Sequence, residues 1–203
     1  MVDLGWFASA IAFAVSMSAT PGPNNTMVTA SGAAWGFRRT LPHIAGIAIG
    51  FPSMLLAVAL GAGEVLRSRP WLHGGLRWLG AAYLLWLAWK IATARPATPG
   101  QTPNGRPISF TQAALFQWVN PKAWVIAIGA VVTYTTATGG AVVAQAAMLA
   151  VIFLVVGLPC NAFWTMAGVG ASRLLHTPTA MRRFNLVLAG LLIVSLVPLL
   201  HGE

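Results

Sequence analysis

The chain has 203 residues, of which 57% are hydrophobic and only 7% charged, and its mean hydropathy is +0.74. A soluble domain carries about 25% charged residues, so this composition excludes an ordinary soluble enzyme and predicts an all-α polytopic membrane protein. The net charge of +9 does not make a nucleic-acid binder, because the basic residues lie scattered at the ends of apolar runs rather than on one water-facing surface.

A membrane-crossing helix needs about 20 apolar residues, and the chain divides into six transmembrane spans. The first covers 4–20. Its only early charge is Asp3, and the missing positive flank argues against a cleavable signal sequence. The span runs into Thr20-Pro21-Gly22-Pro23-Asn24-Asn25, with a helical continuation to Trp35 and no further charge before Arg38. As one helix, residues 4–36 would reach about 50 Å against a hydrocarbon core near 30 Å. Pro21 and Pro23 supply a break, since each removes a backbone donor. In lipid, broken backbone survives only where protein or a wet cavity surrounds it, and such breaks mark transporter binding sites. The freed amides and carbonyls, with the Asn24 and Asn25 side chains, suit the carboxylate and ammonium of a zwitterion. A hinge without ligand contact is the alternative.

The second span is 42–63. Gly46 and Gly50 form a G-x-x-x-G pair that lets helices approach closely, a packing role, and Pro52 lies near mid-span. The third span is 74–94. Residues 95–109 hold four prolines and two glycines and read as an irregular cytoplasmic linker. The linker, taken as 95–110, separates two three-helix halves, 1–94 and 111–203, within one transporter domain. The fourth span, 111–135, contains Gln117-Trp118-Val119-Asn120-Pro121-Lys122. An ammonium well inside a span costs about 3 kcal/mol, so Lys122 either binds a carboxylate, gates a pathway, caps broken carbonyls, or snorkels to the surface. Thr138-Gly139-Gly140 marks a turn before the fifth span, 141–168. There Pro159 precedes Asn161 and Trp164, and the amide needs a partner, either another helix or a substrate. A turn at Thr177-Pro178-Thr179 leads to the sixth span, 184–200. Pro52, Asn120-Pro121 and Pro159 all fall roughly 15 Å deep, which suggests a shared mid-membrane cavity. Trp6, Trp71, Trp78 and Trp124 are candidates for interfacial anchors.

Cys160 is the single cysteine and the four histidines show no ligand spacing, so neither a disulfide nor a metal or cofactor site is expected. The acids are Asp3, Glu64 and Glu203, and no nucleotide loop or catalytic constellation appears. His43 and Glu64 are the titrating candidates. With the N-terminus outside, the inner segments hold Arg38, Arg39, Lys90, Arg95, Arg106, Lys122, Arg173, Arg182 and Arg183, and the outer ones Arg67, Arg69 and Arg77. That asymmetry places both termini on the outer side.

Ser18 to Asn25, with Gly36-Phe37-Arg38, Ala45-Gly46-Ile47, Trp78 to Leu87 and Val119-Asn120-Pro121-Lys122, resembles the LysE/RhtB family of amino-acid exporters over nearly the whole chain. Ala88 to Thr93, Pro107 to Phe110 and Asn161 to Trp164 are similar to the branch that exports cysteine and O-acetylserine. The resemblance implies a proton-driven exporter in the bacterial inner membrane, built from two inverted halves. Its substrates would be small neutral amino acids, because Gly157 to Asn161 lacks the acid that many relatives carry. Thr20, Pro21, Gly22, Pro23, Asn24 and Asn25 would form one wall of the site. Asn120, Pro121 and Lys122 would face them, with Asn161 and Trp164 nearby. A passive pore would need a continuous polar stripe that the apolar spans lack, and a non-transporting assembly protein is the other alternative. A homo-oligomer is left open.

Overall fold

A computed structural model describes residues 2–94, 106–135, 141–175 and 177–197, and among these there are helices and no strands. Helix α1, Leu4–Ala19, starts where the Asp3 carboxylate accepts the Trp6 amide at 2.8 Å. It stops at Thr20, whose extended backbone leads into the prolines. Helix α2, Pro23–Ala57, begins after extended Gly22 with proline in its first turn, a position where the missing donor costs nothing.

Helix α2 is not a rod. Gly36 has φ 76° and ψ 170°, a region that glycine alone occupies comfortably. Ser31 Oγ meets His43 Nδ1 at 3.1 Å across twelve positions of sequence, whereas a straight helix would hold them about 18 Å apart. The bend divides α2 into limbs 23–35 and 37–57, and Thr40 Oγ1 donates to the Gly36 carbonyl at 2.8 Å to close the corner. The second limb starts five residues before the expected second span and carries Pro42 on an exposed face. It continues through a π-helical turn, Val58–Ala62, into α3, Gly63–Ser68.

Helix α4, Pro70–Ala92, starts earlier than the expected third span because Pro70 opens it. Helix α5, Phe110–Phe116, is held by a reciprocal capping box between Ser109 and Gln112. A 3-10 turn, Gln117–Val119, then leads to α6, Pro121–Tyr134, and the two parts of the expected fourth span meet at 69°. Helix α7, Ala141–Leu174, outruns the expected fifth span. Helix α8, Pro178–Val194, starts six residues before the expected sixth span, 184–200. Thr177 Oγ1 accepts the Ala180 amide at 3.1 Å, so the Thr-Pro pair read as a turn is the cap and first turn of the helix. Most of the expected linker, the Thr138-Gly139-Gly140 turn, and residues 198–200 lie outside the described residues.

Among the described residues two helical runs, Pro23–Ser68 and Ala141–Leu174, are apolar and long enough to cross a membrane, and the bent pair α5–α6 makes a third candidate. At 46 residues the first would measure about 70 Å if straight, over twice the hydrocarbon core. Helix α1 is shorter but apolar.

Polarity is distributed as lipid requires. Val132 is 75% exposed, Val125 70% and Phe163 69%, while Thr40, His43, Gln117 and Thr165 are fully buried. Exposed apolar surface on this scale is a lipid-facing or interaction surface, not a water-facing one. Small residues bring the helices together inside. A Cβ on Gly32 would collide with the Thr165 carbonyl and one on Gly168 with the Thr29 carbonyl, so α2 and α7 cross in reciprocal backbone contact. Gly46 and Gly50 seat α2 on α5, against Phe110, Ala113 and Ala114. Ala81, Leu84 and Leu87 of α4 pack on Leu188, Ala189 and Leu192 of α8.

Candidate transport site

The chain breaks at Thr20–Gly22 and at Asn120, and each break is satisfied partly by the other. Helix α1 ends with carbonyls that no following turn can use. Lys122 Nζ donates to the Thr20 carbonyl at 2.6 Å and to the Pro21 carbonyl at 3.4 Å. Asn25 Nδ2 donates to the Ser18 and Thr20 carbonyls at 2.8 and 3.0 Å. Gly22 makes room for the lysine, since a Cβ there would stand 2.7 Å from Lys122 Cδ. At the second break, Asn120 Oδ1 accepts the Lys122 amide at 3.1 Å and caps α6, with Pro121 in the first turn.

A second bridge joins the breaks. Asn24 Nδ2 donates to Gln117 Oε1 at 2.9 Å and Gln117 Nε2 donates back to Asn24 Oδ1 at 3.1 Å. Gln117 also donates to the Ala113 carbonyl at 2.9 Å and is fully buried.

Between the breaks lies a cavity of about 70 Å³, room for several waters at roughly 15 Å³ each. Its polar wall is formed by Ser18, Gly22, Asn24, Asn25, Asn120, Lys122 and Asn161. Met17, Ile47, Phe51, Ile126 and Phe153 form the apolar wall, and Pro52 lies on the lining too. Among the described residues, Asn120 Nδ2 donates to no protein group, and Asn25 Oδ1 and Asn161 Oδ1 accept from none. One free donor and two free acceptors therefore border the space. Helices α2 and α6 both begin here, and their N-terminal amides add partial positive charge. The aromatic wall continues from Phe51 to Phe153 at 4.9 Å, Phe153 to Phe13 at 6.2 Å and Phe13 to Tyr134 at 5.7 Å. Trp6 Nε1 closes that column on the Tyr134 carbonyl at 3.0 Å.

Gly22, Asn24, Asn25, Asn120, Lys122 and Asn161 meet on the lining. Thr20 and Pro21 are exposed and contribute carbonyls, while Pro23 is buried and Pro121 half-buried, each opening a helix without reaching the cavity. Trp164 is not brought to the lining. It packs against the cluster of Val28, Ile44, Ile47 and Ala113, and its carbonyl accepts Thr29 Oγ1 at 3.1 Å. Pro159 is exposed on α7. Trp71 and Trp78 are exposed, as anchors would be, whereas Trp124 Nε1 turns inward to the Trp118 carbonyl at 2.8 Å. Sequence reasoning missed Gln117 as the partner of Asn24, and missed Phe51 and Phe153. The available signal was that a buried amide in a span requires another polar group.

Residues 15–202 match the family described as LysE type translocator. A protein of Klebsiella pneumoniae, named cysteine/O-acetylserine efflux protein, is 37% identical over 180 residues, 88% of each chain. A protein of Escherichia coli O139:H28 with the same name is 33% identical over 182 residues, 90% of this chain and 91% of its own. One from Salmonella choleraesuis, again so named, is 34% identical over 185 residues, with 90% and 91% covered. No solved structure matches the chain. Together with the apolar exterior and the polar hollow between two broken helices, these similarities place the chain in the LysE family of multi-pass membrane translocators, which makes it a transporter rather than an enzyme.

Proposed function

We propose that this protein exports small neutral amino acids, of the cysteine and O-acetylserine type, across the bacterial inner membrane, and that the cavity between the breaks is its binding site. The observation that carries the reading is the pairing of unused polar atoms with two helix N-termini around one cavity. A substrate carboxylate fits beside Lys122, Asn120 Nδ2 and the N-termini of α2 and α6, where positive charge converges. The ammonium fits the free Asn25 and Asn161 oxygens, on a lining that also holds the Phe51 and Phe153 rings. A short side chain then lies against Met17, Ile47 and Ile126. Among the described residues no carboxylate borders the cavity, so a second positive charge on the substrate would be buried unpaired, which disfavours basic amino acids.

Export proceeds by alternating access in this reading. Two three-helix halves, each opening with a broken helix, rock about the site, giving six spans in total. The distribution of basic residues supports a periplasmic side for both termini. Asn24→Leu tests the site, because it removes one amide of the Asn24–Gln117 bridge while keeping a side chain of similar size. Cells producing this variant at normal membrane abundance should release no more cysteine or O-acetylserine than cells without the protein. Release at the wild-type rate would remove Asn24 and its cavity from the mechanism.

A further inference from the structure

His43 is fully buried, and its Nε2 has no hydrogen-bond partner among the described residues. Its Nδ1 lies 3.1 Å from Ser31 Oγ, across the Gly36 bend. Buried polar atoms without partners are rare and call for an explanation. The other such atom, Arg77 Nε, belongs to a guanidinium that keeps its charge. The remaining candidates are already engaged. Asp3 caps α1, Glu64 pairs with Arg67 at 3.1 Å on the surface, and Lys122 donates to broken carbonyls. Neither residue lines the cavity, and helical spacing gives their distance from it. Ser31 follows Asn24 by two turns on one limb of α2, and His43 precedes cavity-lining Ile47 by one turn on the other.

We propose that His43 is the proton-binding site of this transporter and that Ser31 positions it. The inference rests on the exporter reading. An imidazolium needs two acceptors, and this conformation offers one, Ser31 Oγ. The structure therefore fits a neutral ring, and proton uptake at Nε2 uses the tautomer in which Nδ1–H donates to Ser31 and the Nε2 lone pair is bare. When the two limbs of α2 shift about Gly36 and water reaches Nε2, that lone pair takes one proton from the outer side. The ring becomes an imidazolium still anchored to Ser31. The same proton leaves from Nε2 to the inner side, and the neutral ring returns. No other bond changes, and each cycle carries a proton inward and a zwitterion outward.

Among the described residues no charged side chain pairs with His43. Between Phe110 and Phe116, α5 has no ionisable side chain, and α7 brings Cys160 and Arg173. Lys122 lies on α6, Arg182 and Arg183 on α8, and Arg38 and Arg39 on α2 itself. None of them hydrogen-bonds or ion-pairs with His43.

The test uses the full-length protein in proteoliposomes with radiolabelled cysteine under reductant. Two modes are compared: counterflow at equal pH, which needs no net proton movement, and accumulation driven by an imposed pH gradient. His43→Gln should keep counterflow at the wild-type rate and lose gradient-driven accumulation to the level of protein-free vesicles. Ser31→Ala should keep counterflow and move the pH profile of accumulation, and it decides the matter if His43→Gln does not insert. Wild-type accumulation by His43→Gln overturns the assignment, as does joint loss of both modes, which marks a merely structural histidine. With Ser31→Ala, an unmoved profile overturns it. Wild-type protein inactive in both modes removes the exporter reading, and this proposal with it.

Discussion

Lys122 shows how a costly residue finds partners. Its ammonium lies in a chain segment where lipid would penalise it, and the carbonyls left bare by Pro21 and Pro23 give it acceptors. The arrangement depends on the absent side chain of Gly22. Gly22→Ala should therefore displace the lysine and cut transport sharply while the protein still inserts. Gly129→Ala is the matched control, because a Cβ there meets nothing within 4 Å. Transport assays on the two variants at equal abundance check this, and equal activities would remove Lys122 from the site. At this scale the sequence was most legible where chemistry is local. A proline lacks its donor in any fold, so the break at Pro21–Pro23 could be read directly. Trp164 was expected beside the site and stands off its lining, because a helix that is apolar on its lipid side and its core side has no periodic signal to fix its rotation. Asn161 turned to the cavity and Trp164, three residues on, to the cluster around Ile44.

Among the helices, the bend of α2 is the feature that composition hides. The run around Gly36 reads as two apolar segments, but nothing in it announces that Ser31 and His43 meet. The contact follows from one backbone conformation, φ 76° and ψ 170°. Forcing an L-residue into such a region costs about 1–3 kcal/mol. Gly36→Ala should thus lower the Tm of the protein in detergent, although a Cβ at this position meets no atom within 4 Å. An unchanged Tm would mean that the bend relaxes freely. Helix starts were misjudged where a cap lay outside the apolar run. Thr177-Pro178 begins α8 ahead of Arg182 and Arg183, and charged residues near an end do not stop a helix from forming. They only set where the apolar part begins.

For the molecule as a whole, the apolar shell and the polar interior state the same fact twice. Side chains such as Val125, Val132 and Phe163 face outward, and the amides of Asn24, Asn25, Gln117, Asn120 and Asn161 gather within. That distribution was legible from composition and from the two proline breaks. The pairing of Asn24 with Gln117 was not, because sequence spacing carries no information about which broken helix faces which.

The central claim is that the exported amino acid occupies the space between the breaks. It is tested most directly by substrate protection of a cysteine placed on the cavity wall. Cys160 is the single cysteine, so Cys160→Ser clears the background, and Ala123→Cys adds a thiol beside Lys122 on the lining. The measurement is the rate of maleimide labelling in membranes. The account predicts slow labelling that O-acetylserine slows further in a saturable way and that lysine leaves unchanged. Labelling at one rate with and without O-acetylserine, in a variant that still transports, would contradict it.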